Sequence, residues 1–286
     1  MDLTIRRARP ADTAAIEEMT ASLWPDRGGD YLPAVFEDWL EVPGDDTRRT
    51  LVAESNDTVV GVVQVVSLSE TEVWLQGMRV HPEARRSGVS RRLNEACYEW
   101  ARGQGARVAR VMVYDWNTPS LAAARADGFE PLTAARWVIL EPEDGPTPRL
   151  DAADCWAHWS GSSAREHMAG LGLAPEESWA LRQVHRRDVL AAPAAIAVAD
   201  GDETVGAAVR TRVADGEDTR VEYGLASWDD DGAAQSLLEG IRRDATDCGG
   251  TTARALVPDQ VTVVTDVVAA GADVSQEALY VLERPL

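Results

Sequence analysis

A chain of 286 residues, 45% hydrophobic and 27% charged, has globular composition and length for about two domains, which excludes a disordered or collagen-like chain. Its formal net charge of −20 repels phosphate backbones and argues against nucleic acid as a partner. No apolar run nears the ~18 residues that span a bilayer, no signal-peptide core opens the chain, and Cys97, Cys155 and Cys248 show no metal-ligand spacing; a reduced, cytoplasmic protein with no metal and no membrane partner is expected.

In chain order, residues 3–8 alternate like a strand, and Pro10-Ala11-Asp12 opens a helix carrying Ala14, Ile16 and Met19. A second helix is predicted over 33–40, bringing Val35, Phe36, Trp39 and Leu40 to neighbouring faces. Strands follow over 49–54 and 59–67, joined by the turn signal Asn56-Asp57, and over 71–80. A glycine-containing loop leads into an amphipathic helix over 89–102. A buried strand over 107–114, a short helix over 118–126 and a strand over 134–140 complete the first half.

Residues 141–148, with three prolines and three acids, can join neither a helix nor a central strand, and they mark a boundary. From about residue 193 the order repeats: strands over 194–199, 204–213 and 219–227, a helix over 233–247, a strand over 252–257, a helix over 260–269 and a strand over 278–283. The endings Gly128-Phe129-Glu130-Pro131 and Gly271-Ala272-Asp273-Val274 align. The reading is a tandem repeat of one α/β unit, divided as 1–141, 142–192 and 193–286. The middle segment is read as a mostly helical bridge whose Trp156, Trp159 and Trp179 serve packing.

All 28 basic residues are arginine. Acid excess without lysine resembles the composition of halophilic proteins, whose carboxylates stay hydrated where salt screens their repulsion; an acidic protein from a GC-rich mesophile would share it.

Chemistry is concentrated at residues 78–93. A strand ends at Pro82, and a helix begins near Gly88. The first-turn amides of a helix lack internal partners and, with the helix dipole, attract an anion. Gly88 removes the side chain that would keep a pyrophosphate off the backbone, and Ser90 is small. Arg85 and Arg86 add charge-assisted contacts. Five arginines between 79 and 92 reverse the local sign of an acidic chain.

These residues resemble the GNAT superfamily of acyl-CoA N-acyltransferases. Arg85-Arg86-Ser87-Gly88-Val89-Ser90 fills the family's phosphate-loop pattern, with Ser90 a small departure, and Met78, Val80 and Pro82 fill the preceding strand pattern. Asn117 followed by Gly128-Phe129 matches a later segment. The resemblance covers residues 3–140 and implies the GNAT fold: α/β (α+β), a mixed central sheet with splayed strands. It implies that acetyl-CoA lies where the strand ending at Pro82 splays from the next. Pantetheine would pair with the strand edge at Met78 and Val80, the Met78 N–H would hold the developing oxyanion, and Asn117 would hold the pantetheine arm or position its helix.

Two departures follow. The tyrosine that many relatives use to protonate the thiolate is Ala124 here, and Trp74 or Gln76 stands where relatives place a basic group. A thiolate of pKa near 8.5 leaves without a strong acid. Glu72 is the nearest carboxylate on the same strand face and becomes the candidate base, with Gln76 beside the catalytic centre; Tyr114 and Asp115 end the opposing strand. The run 29–33, Trp39-Leu40, Pro43 and residues 76–80 resemble the histidine N-acetyltransferase type. That resemblance makes Tyr31, Trp39 and Gln76 acceptor candidates and a free amino acid or small amine the acceptor.

The second half carries Asp229-Asp230-Asp231 where the first has its arginines, so a degenerate GNAT-like domain without a CoA site is expected. The function expected is acetyl transfer from acetyl-CoA to a small primary amine by a monomer or homodimer. Protein N-terminal or lysine acetylation, and a silent acyl-CoA-binding regulator, stay open.

Overall fold

The structure, a computed structural model, describes residues 2–40, 44–214 and 218–286; Pro43 lies outside the described residues. The chain forms two compact units that are not consecutive in sequence. One holds the chain up to Val111, Arg125–Phe129 and Glu283–Leu286; the other holds Met112–Ala124 and Glu130–Leu282.

The first unit begins with β1 (Thr4–Arg7), α1 (Thr13–Thr20) and α2 (Leu32–Val35). Then come β2 (Arg48–Ser55), β3 (Thr58–Ser67), β4 (Glu72–Val80), α3 (Val89–Gly103) and the start of β5 (Val108–Tyr114). The strands lie in the order β1-β2-β3-β4-β5, antiparallel except for the parallel pair β4 and β5. The apolar run of β3 is buried almost throughout, as a central strand covered on both faces requires. The inward residues of α3, Val89, Leu93, Cys97, Trp100 and Ala101, recur every three to four positions. Gly61 lets this helix approach, because a Cβ there would lie 2.7 Å from Val89 Cγ1. On the other side Ile16, Met19, Leu32, Phe36 and Trp39 form one cluster with Val52, Val59 and Val62.

The helix expected over 33–40 is shorter: α2 ends at Val35, and turns carry the chain to Leu40. The reason is polar. The carbonyl of Trp39 accepts from Thr50 Oγ1 (2.6 Å) and from Gln64 Nε2 (3.4 Å), so this backbone is satisfied by the sheet.

The second unit contains most of α4 (Thr118–Ala126), β6 (Glu130–Leu140), α5 (Ala152–Gly161), α6 (Ser163–His167), β7 (Leu171–Leu173), β8 (Leu181–Gln183) and α7 (Arg186–Leu190). It continues with β9 (Ala194–Asp200), β10 (Glu203–Ala214), β11 (Arg220–Trp228), α8 (Asp231–Asp247), β12 (Thr252–Pro258), α9 (Val261–Ala269), β13 (Asp273–Val274) and the first residues of β14 (Leu279–Pro285). Its strands run β6-β12-β11-β10-β9. The bridge expected as mostly helical also holds the hairpin β7-β8, formed by the buried run Leu171-Gly172-Leu173. Trp159 is buried, and Trp179 packs edge-on to Trp137 at 6.0 Å.

The boundary at residue 141 does not coincide with these units. β6 pairs with β12 from Ala135↔Pro258 to Leu140↔Ala253 and so belongs to the second. The last residues return to the first, where Leu286 N–H donates to the Arg107 carbonyl at 2.9 Å. A proline-rich segment reads as a linker whichever unit its flanking strands join. Among the described residues no helix is long and apolar enough to cross a membrane.

Candidate active site

The loop at residues 85–88, the candidate phosphate loop, is built from a left-handed turn into a helix start. After Pro82–Ala84 the chain turns through Arg86 (φ +64°) and Gly88 (φ +85°) into α3. The first helical bond runs from Arg92 N–H to the Gly88 carbonyl at 3.1 Å. The amides of Val89, Ser90 and Arg91 are therefore the ones without an intrahelical acceptor, at the positive end of the helix dipole. Ser87 Oγ donates to the Ala84 carbonyl at 2.6 Å and braces the turn. Arg85, Arg86, Ser87 and Gly88 are exposed, whereas Val89 is buried and anchors the helix start. A Cβ at Gly88 would meet no protein atom within 4 Å. The space over this backbone is open to a ligand, so the loop fits a pyrophosphate. A non-glycine residue in the left-handed region is uncommon, and such residues gather at ligand-binding turns.

β4 supplies the second feature. Its register against β3 goes from Gln64↔Gln76 to Val62↔Arg79, which sets Gly77 and Met78 against Val63 alone. This is a bulge, with Gly77 at φ +66°. On the opposite edge β4 pairs with β5 only at Glu72↔Val108, Val73↔Ala109 and Trp74↔Arg110. The pairing ends there, so the edge at Met78 and Val80 is not in the β5 ladder. The sequence contained the signal for the bulge, a glycine inside a strand pattern.

The acceptor candidates gather around the bulge. Trp39 packs on Gly77, where an added Cβ would lie 2.3 Å from its ring. Tyr31, 50% exposed, meets Trp39 edge-on at 6.2 Å between centroids. Gln76 donates to Gln64 Oε1 (2.7 Å), and Gln64 in turn donates to Thr50 Oγ1 (3.0 Å). That buried network fixes Gln76 relative to the Trp39 backbone. Sequence reasoning missed Asp30, Arg79 and Trp24 in this cluster: Arg79 binds Asp30 and lies over the Trp24 ring at 4.6 Å. An arginine two residues beyond the glycine of β4 was the available signal.

Glu72 is a correction. Its carboxylate is buried in an ion pair with Arg110, accepts from Ser69 Oγ at 3.0 Å, and Arg110 also holds Glu283 at 2.7 Å. It lies six residues before Met78, about 20 Å of extended strand. A committed carboxylate at that remove is a structural anchor and not the base. Glu72→Gln should lower stability by about 3 kcal/mol, the low end for breaking a buried pair because Glu283 remains. The pH–rate profile of the folded variant should be unchanged; loss of its acidic limb would restore Glu72 as the base.

Asn117 caps α4: its Oδ1 accepts from Ser120 N–H at 3.3 Å. Asp115 Oδ2 accepts from Ala278 N–H, and Tyr114 stacks on Trp116 at 5.9 Å. At the start of α8, Asp230 Oδ1 accepts from Ala233 N–H at 2.8 Å. A carboxylate of the chain itself therefore sits where an anion would bind. β11 and β12 pair only from Arg220↔Thr252 to Tyr223↔Ala255.

A bulged strand whose pairing with its parallel neighbour is short, followed by an arginine-bearing helix start, leaves exposed backbone and positive charge that fit an anionic ligand. Residues 13–129 match the acetyltransferase (GNAT) family. The aminoglycoside N(6')-acetyltransferase type 1 of Stenotrophomonas maltophilia is 32% identical over 135 residues, 44% of this chain and 86% of that protein. Two crystal structures share the fold over 99% of the chain. A candidate acetyltransferase from Thermoplasma acidophilum does so at TM-score 0.60 and 18% identity over 100% of its own length. A GCN5-related N-acetyltransferase from Sphaerobacter thermophilus does so at TM-score 0.57 and 13% identity over 95% of its length. The chain belongs to the GNAT acetyltransferase family, and its activity class is acetyl-CoA-dependent N-acetyl transfer.

Proposed function

We propose that this chain acetylates the primary amine of a small molecule, with free amino acids within the acceptor class. The observation that carries the proposal is the juxtaposition in one unit of the Arg85–Ser90 cradle and the Gly77–Met78 bulge walled by Tyr31 and Trp39. The similarity to a protein named for aminoglycoside acetylation supports a small-molecule acceptor.

Arg85, Arg86, Ser87 and the backbone from Gly88 to Ser90 would hold the pyrophosphate of acetyl-CoA, and Met78 and Val80 its pantetheine arm. When bound, acetyl-CoA supplies a thioester whose carbonyl is the electrophile. Met78 N–H is assigned as the donor to that carbonyl oxygen, worth a factor of about 10²–10³ in rate for such a donor. Gln76 is assigned to orient the acceptor, and Tyr31 and Trp39 to enclose its carbon skeleton. The cap on α4 supports the helix-positioning role for Asn117.

The second half is proposed as a degenerate copy of the first. Parallel pairing that stops after a few residues before a helix supports this, and so does the Asp230 cap. One acetyl-CoA per chain, bound in the first unit, follows. The acid-rich surface supports assay in molar KCl.

Thiol release from acetyl-CoA with free amino acids, small amines, aminoglycosides and peptides tests the proposal, alongside calorimetric titration. Small amines should turn over faster than peptides, at a stoichiometry of one. Peptides preferred over every small amine would select the protein-acetylation reading. Binding without release from any amine would select a silent acyl-CoA-binding regulator, and two equivalents bound would show that the second half is not degenerate.

A further inference from the structure

Arg79 follows the bulge directly, and its guanidinium is almost fully occupied. Nε and Nη2 reach the two carboxylate oxygens of Asp30 at 2.6 and 2.9 Å, and Nη1 donates to the Met78 carbonyl at 3.0 Å. The side chains are 11% exposed for Arg79 and 1% for Asp30. Asp30 Oδ1 also accepts from Leu32 N–H at 3.0 Å. The Trp24 and Tyr31 rings lie 4.6 and 5.4 Å from the guanidinium carbon.

Between Trp24 and Tyr31 the regular structure is a single 3-10 turn at Pro25–Arg27. Trp24, Gly28 and Gly29 are left-handed, and the Trp24 carbonyl accepts from both Arg27 N–H (2.9 Å) and Gly29 N–H (3.0 Å). Arg79 ties this short segment to β4 through Asp30, Trp24 and Tyr31. The contacts form a ring: Arg79 to Tyr31, Tyr31 to Trp39, Trp39 to Gly77, and Gly77 through Met78 back to Arg79. The ring encloses the peptide assigned as the oxyanion donor.

We propose that Arg79 is a positioning residue of the acetyl transfer, locking the acceptor wall at residues 24–39 to the Gly77–Met78 bulge through its two-pronged pair with Asp30. The inference rests on the acceptor reading proposed above. A two-pronged, aromatic-flanked contact requires the planar guanidinium, which lysine cannot replace. A buried pair of this kind fixes one geometry better than it adds stability. An error of an ångström in a reacting geometry costs about 10²-fold.

Arg79→Lys and Asp30→Asn should each lower kcat/KM for the best amine by about 10²-fold, raising the acceptor KM and lowering kcat together. The acetyl-CoA dissociation constant should stay within about twofold, because the Arg85–Ser90 cradle is untouched. The double variant should cost little more than either single, as for two halves of one contact. Tryptic cleavage after Arg27, an exposed residue of the locked segment, should accelerate by at least about tenfold in both singles, since a segment released from its contacts opens more often. Variants that melt earlier but keep acceptor kcat/KM would overturn the proposal, as would a parallel loss of acetyl-CoA affinity. If Arg79→Lys does not fold, the isosteric Asp30→Asn carries the same test. A wild-type protein that acetylates no amine refutes the acceptor reading, and the cleavage rate after Arg27 then decides whether Arg79 locks the segment.

Discussion

Gly88→Asp should weaken acetyl-CoA binding by more than about 100-fold while the protein still melts within a few degrees of wild type. The estimate comes from electrostatics. Two unit charges 4 Å apart at a protein surface interact by about 4 kcal/mol, and that repulsion exceeds the ~2.7 kcal/mol equivalent to 100-fold. The fold is spared for a local reason. The new side chain meets no protein atom within 4 Å of its Cβ, and aspartate is among the residues that best tolerate the left-handed region, where Gly88 sits at φ +85°. Changing Arg85 and Arg86 together to Glu should do the same, because both side chains are exposed. Calorimetry on the folded variants decides the matter. Unchanged affinity in both would place the pyrophosphate elsewhere and remove the assignment of residues 85–90.

The turn and helix start at residues 85–90 were legible in the sequence because what they need is local: a glycine at a helix start, two arginines and a preceding strand lie within a dozen residues. The strand over 59–67 was legible for a similar reason, since its valines on either side of Gly61 and Gln64 form a local β-branched run. Glu72 misled because its partner is 38 residues away on another strand, and period-two reasoning shows which face a side chain takes but not what faces it. The short α2 has the same origin: Thr50 and Gln64, on β2 and β3, claim the Trp39 carbonyl. The unit boundary failed at a longer range still. Nothing local tells β6 or the end of β14 which strands to pair with or which unit to join. Arg79 lay inside the matched segment, but its meaning depends on Asp30, 49 residues earlier.

Glu222→Ala should be the most destabilising single change in the second unit, costing about 3–5 kcal/mol and lowering the melting temperature by about 10 °C. Glu222 is fully buried, and its carboxylate receives Arg212, Arg220 and Arg254; the Arg220 bond is 3.0 Å. Arg254 in turn lies over Trp137 at 3.9 Å and Trp179 at 4.3 Å. Removing the one carboxylate leaves three guanidinium groups turned toward a space they cannot share, with Arg254 itself only 6% exposed. Burial alone would raise the Glu222 carboxyl, but the charge of Arg254 and the bonds from Arg212 and Arg220 outweigh it and hold the group below its ordinary value of 4.5. A depressed folded value means that the unfolded chain takes up the proton first. The stability Glu222 contributes is therefore complete above pH 4.5 and is lost as the pH falls through the lower folded value. Glu222→Gln keeps the shape and removes the titration, so its melting temperature should start lower at neutral pH and converge on wild type in acid. Thermal melts across the acid range measure both quantities. A Glu222→Gln protein that melts with wild type at neutral pH and runs parallel to it in acid would show that the three arginines are balanced by something other than this carboxylate.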